Sequence, residues 1–312
     1  MLPFYKLEKT IRFFKSAFEM ELCQGLGLVP VPSPLVIHAG TGINDALNGT
    51  EPPVRLQVGS LEAEVVQSLA KWKRVMLGRY GFPPGEGLVA NMRALRPAED
   101  LGPIRSVYVD QWDWEKVITP EERNLDTLCA AARVIYIAVR AVHLQAAVWF
   151  DYEDTLPDQV TFLTAAELCA RYPDRSPRER EQIVCREHGA VFLMGIGGAL
   201  QDGQPHDGRA PDYDDWSLNG DLLVWNPVLN QSFELSSMGI RVNSEVLAEQ
   251  MKIRGVPSQA FHKQVLQGEL PQTMGGGIGQ SRLAMLLLQA THIGQVAFGL
   301  WPDVDSKRWG LL

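Results

Sequence analysis

Residues 271–282 hold the combination of residue types that most directly suggests chemistry, a glycine-rich run that ends in an arginine. The run reads PQTMGGGIGQSR and is followed by the apolar residues 283–288. It predicts a turn that opens an apolar helix, with Arg282 in the first helical turn. Glycines let a ligand approach the backbone, a helix N-terminus favours negative charge, and arginine supplies a planar cation suited to phosphate. The run therefore indicates a site for a nucleotide polyphosphate.

The spacing of this run differs from that of two common phosphate-binding motifs. Gly-x-Gly-x-x-Arg has an arginine where the dinucleotide fingerprint needs its third glycine, and no Gly-Lys-Ser/Thr follows as in a Walker loop. The run instead resembles the third signature motif of the class II aminoacyl-tRNA synthetases and their relatives. The alternative is that the glycines only allow a buried helix to pack closely.

Two further segments are similar to the other class II motifs. Residues 27–36 are apolar and interrupted by prolines, like the first motif, which usually forms a dimer interface. Residues 95–115 contain Arg96, a loop and a predicted strand, like the arginine-bearing strand, loop and returning strand of the second motif. The alternative for Arg96 is a surface ion pair with Glu99 or Asp100, worth at most about 1 kcal/mol.

A third segment, residues 233–241, reads as a strand with polar groups at irregular spacing. Side chains on a strand alternate with a period of two, so Glu234 and Arg241 would point to opposite faces of a regular strand. If both face one pocket, a bulge or a kink at Gly239 must intervene. Three residues of this region offer hard oxygen ligands suited to a Mg²⁺ ion that bridges the phosphates of ATP, namely Asp221, Glu234 and Ser237.

The elements that must position these groups are a mixture of strands and helices. Apolar periodicity and capping residues predict helices at 7–22 (stopped by Gly25), from Thr119 to 149, from Thr164, from Ser176 to Gly189, and at 244–254, 259–267 and 280–289. Strands are predicted at 54–58, 64–67, 106–114, 190–196, 222–225, 233–242 and 293–300. Because strands and helices do not alternate regularly, the order favours an α+β fold, an antiparallel β-sheet flanked by helices in one domain spanning residues 1–312.

Composition excludes several classes of function. Of 312 residues, 46% are hydrophobic and 21% charged, and the net charge of −8 argues against a broad nucleic-acid-binding surface. The four cysteines and six histidines are scattered, so no zinc site can be read. Residues 1–21 lack the apolar core of a signal peptide, and no run of 18 apolar residues predicts a membrane span. These features predict a cytoplasmic protein with reduced thiols that binds neither nucleic acid nor membrane.

Taken in order, the segments resemble one family along almost the whole chain. From about residue 5 onward the sequence is similar to the ammonia-dependent asparagine synthetases, the AMP-forming aspartate–ammonia ligases of the class II aminoacyl-tRNA synthetase-like superfamily. The most specific stretches are residues 68–74, 108–114, 209–216, 234–241 and 271–282. The resemblance implies one class II-like catalytic domain, without an anticodon-binding or glutaminase domain, in a homodimer.

The resemblance also implies a reaction in two halves. The β-carboxylate of L-aspartate attacks the α-phosphate of ATP to give β-aspartyl-AMP and pyrophosphate, and ammonia then attacks the acyl-adenylate to give L-asparagine and AMP. The enzyme contributes mainly positioning and charge stabilisation. Residue 2 is leucine and no cysteine lies in a motif, so a glutaminase nucleophile is not expected and ammonia is the expected nitrogen source.

The roles implied for individual residues fall into four groups. Arg96 neutralises the α-phosphate, while Arg282 holds the distal phosphates or stacks on adenine. Lys73 and Arg241 clamp the α-carboxylate of aspartate. Gln111 assists the carboxylates that bind the cationic groups. Three carboxylates share two tasks, the binding of the α-ammonium group and the binding and deprotonation of ammonium. They are Asp45, Asp113 and Asp214, and the sequence leaves open which of them performs which task. The metal ligands are Asp221, Glu234 and Ser237. The remaining nucleotide contacts are Ser106, Tyr213, Ser236, Gly277 and Gly279.

Two positions depart from the family pattern. Gln67 stands where histidine is expected, and because an amide does not change charge near neutral pH, this argues against an acid–base role there. The connection between Trp216 and Leu218 is shorter than expected, which predicts a trimmed surface loop near the site.

Three other functions remain open at this point. A class II relative that charges tRNA or a protein lysine would need an anticodon-binding domain or a basic face. A silent paralogue that senses amino acids would be expected to lose Arg96, Arg282 or the metal-binding carboxylates, all of which are present. A structural protein without a ligand would leave the charged residues of these motifs unexplained.

Overall fold

The computed structural model describes residues 2–45, 47, 51–302 and 310–311. The strands are β1 (Leu28–Val31), β2 (Val36–His38), β3 (Arg55–Val58), β4 (Leu61–Val65), β5 (Gly87–Leu95), β6 (Tyr108–Val117), β7 (Thr161–Thr164), β8 (Ala190–Met194), β9 (Asp214–Asn226), β10 (Gln231–Arg241) and β11 (Thr273–Gly279). The helices are α1 (Phe4–Leu26), α2 (Ala70–Tyr80), α3 (Leu125–Phe150), α4 (Ala165–Arg171), α5 (Pro177–His188), α6 (Ser244–Arg254), α7 (Ala260–Leu266) and α8 (Gln280–Leu287). Short 3₁₀ turns occur at Pro120–Glu122 and Ile293–Gln295.

An eight-stranded sheet in the order β1-β5-β6-β11-β10-β9-β8-β7 organises the fold, and β2, β4 and β3 form a small second sheet. The central pairs of the large sheet are antiparallel, as the sequence predicts. The two outermost pairs, β1–β5 and β7–β8, are parallel, so the expectation of a purely antiparallel sheet is wrong at both edges. At the β7 edge the reason is the crossover through α4 and α5, which returns the chain in its original direction.

Helices α1, α3 and α8 cover one face of the large sheet. The buried residues of α1 recur at helical spacing from Leu7 to Leu26, and they join the main core with Trp112 and Trp114 of β6. Because neighbouring side chains on a strand alternate, Gln111, Asp113 and Glu115, which flank these tryptophans, point to the opposite face. The face that the three helices leave open is therefore the one available for chemistry.

The long helix α3 is apolar enough to raise the question of a membrane span. Its length and its mean hydropathy of 1.5 over the most apolar window would allow α3 to cross a membrane. Half of that window, however, is buried inside the protein. Its buried residues, from Leu128 to Ala147, lie in the main core. This is the packing of a core helix in a globular domain.

The predicted capping boxes at Thr164 and Ser176 begin α4 and α5 as expected. The box at Thr119 instead begins only a 3₁₀ turn, and α3 starts at Leu125 after Asn124, whose side chain accepts from the Thr127 amide at 2.9 Å. Gly25, expected to stop α1, lies inside it.

Helix α1 ends at Gly27, which has a positive φ of 71°. A Cβ on Gly25 would come within 2.5 Å of the Val134 side chain, so this glycine lets α1 pack closely on α3. Gly25 therefore allows two helices to pack closely, and Gly27 allows the turn that ends α1.

The predicted last strand at 293–300 is wrong. Residues Ile293–Gln295 form a 3₁₀ turn, and the described residues after it are irregular up to position 302. The Trp301 ring lies where a Cβ on Gly294 or Gly299 would be, at 2.8 and 2.9 Å. The chain folds back over its own glycines, which an apolar sequence pattern does not reveal.

Candidate active site

A cavity of about 340 Å³ opens over the face of the large sheet opposite to α1, α3 and α8. Strands β6, β11, β10 and β9 supply its floor, and the segments around Asp45, Arg96 and Arg209 contribute to its walls. It brings together most of the residues that the sequence predicts: Asp45, Arg96, Ser106, Gln111, Asp113, Tyr213, Asp214, Glu234, Ser237, Arg241, Gly277, Gly279 and Arg282. Three predicted residues, Lys73, Asp221 and Ser236, do not line it.

The glycine-rich run is a strand, β11, and the prediction of a turn is wrong. Strand β11 pairs with β10 on one side and with β6 on the other, and α8 begins directly after it at Gln280. Its glycines make room for side chains from these neighbours. A Cβ on Gly277 would lie 2.6 Å from the Gln111 amide, and one on Gly275 would overlap Glu115. Glycine is needed here because functional side chains cross the space above the strand.

Strand β10 carries the irregularity that the spacing of its polar residues requires. Its pairing with β9 shifts register between Glu234 and Ser236 and again between Gly239 and Arg241. As a result Glu234, Ser237 and Arg241 all line the cavity, whereas Ser236 is buried away from it. The expected bulge is confirmed.

The second register shift lies at the segment around Trp216. Gly239 pairs with Asn219 while Arg241 pairs with Asp214, so residues 215–218 bulge out of a strand that continues through them. The Asp215 carboxylate in this bulge pairs with Arg123 and accepts from the Ser217 amide at 2.8 Å. Residues 216–218, where a trimmed loop is expected, thus belong to β9.

Arg241 is the centre of a buried ionic network. Its Nε and Nη2 donate to the Glu115 carboxylate at 2.9 and 2.7 Å, and its Nη1 donates to Asp214. The Thr273 hydroxyl also donates to Glu115, at 2.7 Å. Burial alone would raise the pKa of Glu115, but Arg241 and Lys73 hold it below the usual value. Burial raises the pKa of Asp214, and Arg241 opposes that rise.

The network leaves part of the guanidinium available. Arginine has five N–H donors, and three of those of Arg241 serve Glu115 and Asp214 in the part of the chain that the structure describes. The remaining two belong to Nη1 and Nη2, the pair that a carboxylate accepts in a bidentate arrangement. Arg241 is therefore fixed by protein groups and still able to bind a substrate carboxylate.

Lys73 is fully buried and its ammonium group is engaged by the protein. It donates to Asp113, to the Trp114 carbonyl at 2.8 Å and to the Gly276 carbonyl at 3.2 Å. Burial lowers its pKa, although Asp113 and Glu115 oppose this change. An ammonium group has three donors, so this geometry holds Asp113 in place. A direct contact between Lys73 and substrate stays a prediction.

Arg96 lies one residue beyond the end of β5 and faces the cavity. Its Nε and Nη2 donate to the Gln67 carbonyl at 3.2 and 3.1 Å. The alternative for Arg96 is a surface ion pair with Glu99 or Asp100, but Glu99 pairs with Arg105 at 2.6 Å. Both side-chain polar atoms of Gln67 are buried without a hydrogen-bond partner among the described residues.

Two of the three expected metal ligands, Glu234 and Ser237, line the cavity together with Arg209 and Arg282, whereas the third, Asp221, is buried and does not line it. Asp221 pairs with Arg209 through one carboxylate oxygen, and within the described residues the other oxygen is buried without a partner. Arg282 lies 3.3 Å from the Glu234 carboxylate. Burial raises the pKa of Asp221 to about 7; Arg209 opposes the rise and Glu234 adds to it.

These ligands fit a magnesium ion that arrives with phosphates. No group of three or more His, Cys, Asp or Glu side chains able to hold a metal occurs among the described residues. Mg²⁺ in nucleotide sites usually takes one or two protein carboxylates and completes its shell with phosphate oxygens and water. Glu234 and Ser237 line the cavity and meet that smaller requirement, with the buried Asp221 carboxylate beside them.

Sequence reasoning missed Glu115, Arg209 and Asp110. A signal for Glu115 existed, because Gln111, Asp113 and Glu115 recur at every second position of one strand and so share a face. Asp110 accepts from the Ser281 amide at 2.9 Å and pairs with Lys15 of α1 at 2.9 Å. No local pattern identifies that contact, which depends on the packing of α1 and α8.

Comparisons with known proteins identify one family. The family model for aspartate–ammonia ligases matches residues 5–309. An aspartate–ammonia ligase of Levilactobacillus brevis is 50% identical over 305 residues, which cover 95% of this chain and 90% of that protein.

Solved structures of class II synthetases share the fold. The asparaginyl-tRNA synthetase of Pyrococcus horikoshii, solved with asparaginyl-adenylate, aligns with a TM-score of 0.69 at 15% identity, covering 95% of this chain and 70% of that one. That of Entamoeba histolytica, also solved with asparaginyl-adenylate, aligns with a TM-score of 0.67 at 14% identity, covering 95% and 68%. At such low identity the likeness concerns the fold, a class II catalytic domain built on a mixed, mostly antiparallel sheet.

Proposed function

Because the chain belongs to the aspartate–ammonia ligase family, we propose that its cavity makes asparagine from aspartate, ammonia and ATP through β-aspartyl-AMP, with release of AMP and pyrophosphate. A free carboxylate is a poor acyl donor, and transfer to AMP gives it a leaving group. The asparaginyl-adenylate bound by both synthetases above supports the same kind of intermediate on this fold.

The observation that carries the proposal is the arrangement of Arg241. Its guanidinium is fixed by Glu115 and Asp214, and its two remaining donors suit the α-carboxylate of aspartate. Asp113 and Asp214 line the same cavity and offer partners for the α-ammonium group. An amino acid held at both charged ends presents its β-carboxylate at a defined place.

Arg96 and Arg282 supply the cations that adenylation needs. As the β-carboxylate attacks the α-phosphate, negative charge develops there and on the departing pyrophosphate, and positioned cations stabilise both. Arg96 suits the α-phosphate, while Arg282 suits the distal phosphates or the adenine ring. Asp221, Glu234 and Ser237 would hold Mg²⁺. When bound, this ion neutralises phosphate charge.

The second half-reaction requires removal of protons from nitrogen. Ammonium gives one proton to a carboxylate, and the freed electron pair attacks the acyl carbon. The bond from that carbon to the AMP oxygen then breaks, with its electrons leaving on AMP, and nitrogen loses a further proton. Asp45 suits the first transfer because burial raises its pKa to about 7, Asp212 adds to the rise, and Lys71 and Arg96 oppose it.

The test is a product assay. Purified protein is incubated with ATP, Mg²⁺, aspartate and ammonium, and asparagine, AMP and pyrophosphate are measured. Equal amounts of the three are expected. Consumption of ATP without asparagine would refute the proposal and direct attention to a different acceptor, such as tRNA or a protein lysine.

We also propose a cytoplasmic homodimer. Strand β1 is an edge strand whose Val29 is half exposed, and next to it α1 borders a groove of about 500 Å³. Unpaired edge strands favour pairing with another chain. The four cysteines are free, as in a reducing compartment. Sedimentation equilibrium at twice the monomer mass is expected, and a monomer at micromolar concentration would contradict the dimer.

A further inference from the structure

A buried cluster of three charged or polar side chains lies behind the cavity wall that carries Asp45. The Lys71 ammonium is 2.6 Å from one Asp212 oxygen, and His262 Nε2 is 2.9 Å from the same oxygen. All three side chains are less than a tenth exposed. The other Asp212 oxygen has no hydrogen-bond partner among the described residues.

The hydrogen bonds define the proton positions in this cluster. His262 Nδ1 accepts from the Gln259 amide at 3.0 Å, so the ring proton of the neutral form belongs to Nε2 and is donated to Asp212. The cluster therefore contains a lysine–aspartate ion pair whose aspartate oxygen also contacts His262 Nε2. Buried ion pairs contribute little to stability compared with apolar packing. Stability alone therefore does not account for this cluster.

Two members of the cluster adjoin the cavity wall in the sequence, and the third packs near the loop that carries Asp45. Lys71 follows Ala70, and Asp212 precedes Tyr213; both of these neighbours line the cavity. His262 belongs to the first turn of α7, the turn that packs on the loop before Asp45. In that contact the Phe261 amide donates to the Thr41 carbonyl at 3.1 Å.

A second contact joins the same turn to the loop. A Cβ on Gly42 would lie 2.9 Å from Gln259 Cβ, and Gly42 has a positive φ of 79°, so the loop fits against the helix only with glycine there. The cluster thus connects the helix, the segment before β9 and the loop that carries Asp45.

We propose that Lys71, Asp212 and His262 are positioning residues that hold the Asp45 loop and set the charge of its carboxylate for the capture of ammonium. The inference rests on the proposed function. Asp45 itself contacts the substrate, and the cluster acts through it.

The charged and titratable groups facing Asp45 come from every element around it. Lys71 on α2 and Arg96 after β5 are cations that favour its carboxylate form, whereas Asp212 and Tyr213 before β9 disfavour that form when they are negatively charged. Removing the Asp212 charge should therefore let Asp45 ionise at lower pH. Removing the Lys71 charge should delay its ionisation to higher pH.

The test compares the pH dependence of the two half-reactions in Lys71→Met and Asp212→Asn. For asparagine formation, the acid limb is expected to move up by about one pH unit in Lys71→Met and down in Asp212→Asn. Aspartate-dependent ATP–pyrophosphate exchange should keep its acid limb in both variants. Exchange also reports that each variant has folded.

Two further variants separate positioning from a general structural effect. Lys263→Met removes an exposed cation from the same helix α7 and should leave both profiles unchanged. His262→Leu frees the loop and should raise the KM for ammonium at least tenfold while the KM for ATP stays within twofold.

Unshifted limbs, or shifts of the same direction in both charge variants, would overturn the inference while leaving asparagine synthesis intact. If the unmodified protein makes no asparagine, the proposed function fails and this inference fails with it. The first assay in the series therefore distinguishes the two failures.

Discussion

Replacing Glu115 with glutamine tests the ionic network beneath the cavity. Glu115 accepts from two nitrogens of Arg241 and from the Thr273 hydroxyl, and Lys73 lies 3.8 Å away. Glu115→Gln keeps the size of the side chain and removes its charge. Arg241 then keeps Asp214 as its anionic partner, and Lys73 keeps Asp113.

The expected cost follows from the number of interactions lost. Breaking a buried ion pair by removing one partner typically costs about 3–5 kcal/mol of stability. Because Arg241 and Lys73 each keep one carboxylate partner, we expect a cost of about 3 kcal/mol for Glu115→Gln. The melting temperature should fall by roughly 5–10 °C. Because Arg241 loses its fixed orientation, the KM for aspartate in ATP–pyrophosphate exchange should rise about 10- to 100-fold, whereas the KM for ATP should change little.

The matched control is Thr273→Val, which removes one neutral hydrogen-bond donor to the same carboxylate. It should cost about 1 kcal/mol and leave the aspartate KM within threefold. The reasoning is refuted if Glu115→Gln melts within 2 °C of the unmodified protein and has an unchanged aspartate KM. That result would mean that Asp214 alone fixes Arg241.

Four further predictions concern the cavity itself. Gly277→Ala places a Cβ 2.6 Å from the Gln111 amide. Aspartate-dependent ATP–pyrophosphate exchange should fall at least tenfold, and the stability of the fold should fall by about 1–3 kcal/mol. Normal exchange would show that Gln111 can move aside. Arg96→Ala should abolish exchange while the far-UV circular dichroism stays unchanged, and near-normal exchange would remove Arg96 from its role. Asp45→Ala should spare exchange and lose asparagine formation, and a loss of both half-reactions would assign Asp45 to aspartate binding. Asp45→Asn should also stabilise the fold, because the folded pKa of Asp45, about 7, lies above its unfolded value. The cost of burying the ionised carboxylate is therefore full above pH 7 and absent below the unfolded pKa. Thermal melts should show a larger gain in melting temperature at pH 8 than at pH 5, and equal gains would contradict the assigned pKa.

The sequence is most informative where the physics is local. The boxes at Thr164 and Ser176 begin helices because each side chain caps its own first turn. The need for a bulge between Glu234 and Arg241 follows from the period of a strand, and the structure contains it. The cavity residues were accessible mainly through the resemblance to a family, since spacing alone does not say which distant segments meet.

The failures arise where distant contacts override local preference. Glycine disfavours strands, yet β11 is a strand because β6 and β10 hydrogen-bond it from both sides. The contact of Glu115 with Arg241 joins residues 126 positions apart, and no local pattern encodes it. Likewise, parallel pairing at the sheet edges depends on how helices return the chain.

The position of β11 in the sheet has a consequence for synthesis on the ribosome. This strand lies between β6 and β10, although it follows both in the chain. Until residues 273–279 emerge, two long strands face each other with unpaired edges, which is a state prone to association with other chains. A nascent chain stalled before residue 273 should therefore bind chaperones persistently. Release should coincide with the insertion of one glycine-rich strand that closes the middle of the sheet.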